Sequence, residues 1–229
     1  MTSVQRHISL TVAVFPLSLF VLGEALAQAA PGALPPGPSN TVVEGTVTQY
    51  LMNHHGDVDG LLLNDGIQVH LPPHMGKDLV VFVKPDDVIS VQGYRIPERP
   101  VMEAPIITKT KTGQSLAERE PGPLDRPIIP PSVRDLFLTE RHVGGIVRTL
   151  LYGRRGEVNG AVLEDHTIVR VPPHAAHQAA ALLQVGQSIS ATGYGTENEY
   201  GQAIEATAIG SSGAAMAPIG DPRPGRFRR

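Results

Sequence analysis

Gly56-Asp57-Val58-Asp59-Gly60-Leu61-Leu62-Leu63-Asn64-Asp65-Gly66-Ile67-Gln68-Val69-His70-Leu71-Pro72-Pro73-His74 returns 100 residues later as Gly156-Glu157-Val158-Asn159-Gly160-Ala161-Val162-Leu163-Glu164-Asp165-His166-Thr167-Ile168-Val169-Arg170-Val171-Pro172-Pro173-His174. Without a gap, 17 of the 52 positions from Val43 to Tyr94 match their partners, and the matches are mainly glycines, prolines, core valines and turn aspartates. A repeat that keeps those residues while changing its charges keeps a fold. Within each copy the pattern predicts one order of elements. Val43, Gly45 and Val47 alternate as a first strand, with the glycine placed for a bulge or tight bend. Val58 to Leu63 is a second strand, closed by the Asn64-Asp65-Gly66 turn. Ile67, Val69 and Leu71 alternate with Gln68 and His70, which predicts a third strand with Gln68 and His70 on its outer face.

Pro72-Pro73 ends that strand. Met75, Leu79, Phe82 and Val83 then fall on one helical face, and Ala175, Ala179, Leu182 and Leu183 repeat the spacing in an alanine-rich segment of better helix propensity. A fourth strand follows at 88–94 and 188–194, and a fifth at 101–107 and 203–209, where the offset grows to 102. This order resembles the OB-fold, a five-stranded Greek-key barrel with a helix between strands three and four. The expected fold class is therefore all-β, with one short helix per domain: two tandem five-stranded OB-fold barrels. The sequence is similar to bacterial exported proteins known only as OB-fold domain proteins, and more loosely to the small periplasmic OB-fold proteins linked to envelope stress (the BOF group).

The expected organisation is a signal peptide at 1–27, a disordered proline- and glycine-rich spacer at 28–41 and a first barrel at 42–108. A linker with a short helix at 109–142, a second barrel at 143–209 and a disordered basic tail at 210–229 complete it. The signal peptide rests on Arg6 and His7 before the apolar run from Ile8 to Leu22, with Ala25-Leu26-Ala27 as the cleavage site. It implies a periplasmic or secreted protein with no membrane span after cleavage. The chain has no cysteine, so disulfides, thiol catalysis, cysteine zinc sites and iron–sulfur clusters are excluded. Residues 42–108 carry nine acidic and four basic side chains, and residues 143–209 carry six and four, so a phosphate backbone meets net repulsion from both barrels.

Two side-chain sets are candidates for binding. His54, His55, His70 and His74 cluster in the first repeat, and imidazoles in an exported protein suit copper, zinc or nickel. In the second repeat Arg148, Arg154, Arg155 and Arg170, with the basic tail, form a candidate polyanion or nucleic-acid surface. OB-fold ligand faces are built on strands two and three and their flanking loops, but no aromatic platform lies there in either copy. No Gly-x-Ser-x-Gly elbow, phosphate-binding loop or His-Glu-x-x-His pair occurs. The expectation is a non-enzymatic binding or interaction module of the cell envelope, with no catalytic residues and an unidentified ligand or protein partner.

Overall fold

The computed structural model describes residues 39–125, 129–211 and 213–219. The expected signal peptide, most of the spacer and the end of the basic tail lie outside the described residues. Both barrels fall in one compact unit.

In the first barrel, β1 (Ser39–Met52) pairs along its first half with β4 (Val88–Arg95) and along its second half with β2 (Val58–Leu63). The short β3 (Gln68–His70) joins β2 antiparallel and β5 (Val101–Lys109) parallel, and β5 returns to β4. The closed order β1-β2-β3-β5-β4 is the OB-fold barrel. A 3₁₀ turn at Pro73–Met75 and α1 (Gly76–Phe82) sit between β3 and β4. A short β6 (Ser115–Ala117) adds to β5. After α2 (Pro131–Arg134), the second barrel repeats the order with β7 (Thr139–Tyr152), β8 (Val158–Leu163), β9 (Ile168–Arg170), α3 (Ala176–Ala179), β10 (Ser188–Asn198) and β11 (Gly201–Gly210), and β12 (Ala217–Pro218) adds to β11.

The barrels extend past the sequence-based limits. Residues 39–41, expected in the spacer, continue the β1–β4 ladder as far as Ser39 opposite Arg95. Thr139 likewise opens β7 opposite Gly195, and β12 lies in the expected disordered tail. An extended segment beside an unpaired strand edge satisfies backbone donors and acceptors that composition does not register.

β1 serves two sheet faces because it is bulged, at Val47/Gln49 and Leu51/Met52, and β7 is bulged at the same positions plus 100. Neither bulge falls at Gly45, which pairs regularly with Ile89 and whose missing Cβ leaves room for Leu63. Both helices form where expected, but their lengths run against propensity. The alanine-rich α3 is the shorter one, ending at Ala179, while α1 buries Leu79 and Val80 and leads into buried Val83. Packing rather than propensity holds short helices, and alanines offer the barrel less to pack against.

The short helix expected in the linker is α2, followed by a 3₁₀ turn at Asp135–Phe137. Its polar residues dock on the loop between β1 and β2, where Arg134 Nη2 donates to Asp57 Oδ2 at 2.6 Å. Leu136 and Phe137 remain exposed.

The barrels meet through β1–β3 of the first and β7–β9 with β11 of the second. Gln68 and His70, expected on the outer face, are buried, with Gln68 fully enclosed. The Gln68 amide spans the seam: Nε2 donates to the Leu150 carbonyl at 2.6 Å, and the Tyr152 N–H donates to Oε1 at 3.0 Å. In the opposite direction Arg170 Nε donates to the Met52 carbonyl at 3.0 Å, and Nη2 donates to both Asp59 oxygens at 3.0 and 3.1 Å. Leu151, Val162, Ile168 and Ala203 of the second barrel join the apolar core of the first.

Two substitutions test this architecture. Gly93→Ala drives a Cβ into the Glu103 carbonyl on the neighbouring strand and has no flexible side chain to displace. It should cost about 1–3 kcal/mol in urea unfolding, as other overpacking changes do. Gln68→Met keeps the volume but strands the Tyr152 N–H and leaves the Leu150 carbonyl with the long 3.5 Å bond from Thr149 Oγ1. The unpaired N–H should cost about 1–3 kcal/mol, read from the same urea curves.

Candidate metal centre at the seam

The loop after β1 is shaped by Asn53. Its Oδ1 accepts from the backbone N–H groups of His55 at 2.9 Å and Asp57 at 3.1 Å, and Gly56 adopts φ +85° to close the turn. That geometry presents the rings of His54 and His55 side by side, with centroids 4.1 Å apart. The second barrel grips the same loop. Thr196 Oγ1 donates to the His54 carbonyl, and Asn198 Nδ2 donates to the Gly56 carbonyl, each at 3.0 Å.

Around the two rings stand carboxylates from elsewhere in the chain. His55 Nε2 lies 2.7 Å from Asp135 Oδ1, and His54 Nδ1 lies 3.1 Å from Glu205 Oε2. Asp135 is itself buried. Among the described residues, His54, His55 and Asp135 form the group whose ligand atoms all lie within 4.8 Å of one another. Two imidazoles and a carboxylate are a donor set that suits a divalent transition metal and leaves a coordination position open.

His70 and His74 do not belong to that group. His74 is turned to the linker, where its Nε2 donates to the Arg119 carbonyl at 2.6 Å. The Arg119 side chain in turn bonds Asp78 and Asp125. His70 faces the seam with its Nε2 buried and without a hydrogen-bond partner.

The arginines are dispersed as well. Arg170 is spent on Asp59 and the Met52 carbonyl, and Arg154 on Glu103 through Nε at 2.8 Å and through Nη2. Arg148 lies against the His166 ring, Nη1 to Nδ1 at 3.2 Å, and Arg155 is exposed at the turn. The faces on which an OB-fold usually binds are covered, each by the other barrel.

Sequence reasoning missed Asp135 and Glu205. No spacing rule connects Asp135 to a loop 80 residues earlier. Glu205 did carry a signal, because it is the counterpart of Glu103 at the 102-residue offset and the acid survives in both copies.

No family model and no curated protein sequence matches this chain. Among solved structures it is similar to the wild-type single-stranded DNA binding protein from Thermus aquaticus, at 15% identity and a TM-score of 0.24, covering 82% of this chain and 100% of that one. A deletion variant of the same protein matches at 15% identity and a TM-score of 0.23, covering 76% and 94%. The assignment of two tandem OB-fold barrels rests on the strand order of each. Among the described residues no helix is long and apolar enough to cross a membrane.

The enclosure of the site has a consequence for acid stability. Burial lowers His54 from 6.5 to about 4, and His55 beside it acts in the same direction. Burial also lowers His70, against the opposing pull of Asp59. Burial pushes Glu205 up. Below pH 6.5 the unfolded chain protonates both histidines before the folded chain does, so their contribution to stability falls on acidification towards pH 4. Glu205 works the other way, because the folded carboxyl takes its proton first. With two groups against one, the metal-free urea midpoint should fall between about pH 7 and pH 4, with a limiting slope of about 1.4 kcal/mol per pH unit for each group. His54→Gln should flatten that slope; an unchanged slope in the variant contradicts the assignment.

Proposed function

We propose that this chain is a non-enzymatic, exported binding protein that holds one divalent transition metal ion between His54, His55 and Asp135. One observation carries the reading: three donors from two distant segments come within 4.8 Å of one another at the seam. Neutral imidazole nitrogen with a single carboxylate favours zinc, copper or nickel over calcium or magnesium, which prefer all-oxygen shells. The N-terminal pattern from Arg6 to Ala27 supports export, and the absence of catalytic motifs supports binding without turnover.

Nucleic-acid binding through the arginines finds less support, because Arg154 and Arg170 already serve carboxylates at the seam. A strand would have to use the exposed Arg148 and Arg155 and the basic tail.

The test is equilibrium dialysis of the full chain against micromolar zinc, copper(II) or nickel(II), followed by elemental analysis. One ion per chain is expected, with loss of binding in His55→Ala and Asp135→Asn and retention in His74→Ala. Metal-free protein after dialysis, or equal binding by all variants, rejects the site.

A further inference from the structure

The seam contacts occur in pairs related by the repeat. His54 of the first barrel meets Glu205 of the second, and Arg154 of the second meets Glu103 of the first. Gly56 abuts Thr196 and Asn198, while Gly156 abuts Ile96 and Arg99. Outside this symmetry, Tyr50 packs edge-on against Tyr200, and Arg99 lies over the Tyr152 ring, each pair at 5.6 Å. Each barrel thus offers the same loop to the same carboxylate of its neighbour. The residue that meets that carboxylate differs between the copies.

That difference decides the chemistry. An arginine has five donors and no acceptor nitrogen, so Glu103 and Arg154 form an ion pair and nothing more. An imidazole has two ring nitrogens. When Nδ1–H of His54 donates to Glu205, the lone pair of Nε2 is left free to bind a metal. A carboxylate behind a ligating histidine fixes its tautomer and ring orientation and raises its basicity.

We propose that Glu205 is the positioning carboxylate of the His54-His55-Asp135 centre, so that metal affinity depends on the docking of the second barrel. The inference rests on the metal reading given above. The site then draws on three parts of the chain: the histidines come from the first barrel, Asp135 from the linker, and the group that aims His54 from the second barrel. Thr196 and Asn198 strengthen the dependence by holding the histidine loop through its carbonyls.

The experiment titrates the metal-free full chain with cobalt(II), followed by its visible absorption, and with zinc in competition. Glu205→Gln keeps the shape of the side chain and removes its charge. It should weaken binding about 10–100-fold, the usual cost of losing such a partner, while one ion still binds at saturation with an altered cobalt spectrum. Glu103→Gln breaks the equivalent contact at the other end of the seam and serves as the control. Its affinity should stay within about threefold of the parent, which a merely structural loosening of the seam would not produce. Should Glu205→Gln fail to fold, Glu205→Asp, one methylene shorter, should weaken binding in the same direction.

Unchanged affinity in Glu205→Gln, or an equal loss in Glu103→Gln, overturns the positioning role while leaving the metal site standing. A parent chain that binds neither cobalt nor zinc removes the metal reading itself, and this proposal with it.

Discussion

The amide of Gln68 is enclosed by protein and bonded at both ends to the backbone of the other barrel. A buried primary amide is tolerated only when its oxygen and nitrogen both find partners, so this side chain sets the register of one barrel on the other. Arg170 makes the reciprocal link with the Met52 carbonyl and Asp59. Around these polar ties Leu151, Val162, Ile168 and Ala203 merge with the core of the first barrel. A five-stranded barrel of this size buries a modest core, and the shared seam adds apolar area that neither copy could bury alone.

The seam also sets what the molecule offers to others. Strands two and three of an OB-fold and the loops beside them usually form its ligand face. Here those surfaces face each other, and the loop between β1 and β2 is held to the end of β10 by Thr196 and Asn198. The two copies diverge at the rim of the seam. There one copy of the loop carries histidines and the other carries arginines, so the two ends, alike in backbone, differ in what they hold.

The candidate site was half legible. His54 and His55 stand out in the sequence as neighbouring imidazoles in a turn. His70 and His74 looked equivalent to them by proximity along the chain, yet one is enclosed in the seam and the other bonds the linker. Strand direction and loop path separate residues that a linear reading groups together. Asp135 was hidden for the opposite reason: it lies in the linker, far along the chain, and docks on the histidine loop beside Arg134.

The sequence by itself determined the two barrels. The repeat preserves the glycines where strands approach closely, the Asp65 and Asp165 turns and the Pro-Pro stops, all of which act within a few residues or between adjacent strands. Only the tertiary structure decided that Gln68, His70 and Arg170 are interior residues and that Glu205 stands behind His54. Alternation along a strand tells which side chains leave the barrel, but not whether water or a second barrel receives them. That outcome depends on the fit of two whole surfaces, and no local pattern encodes it.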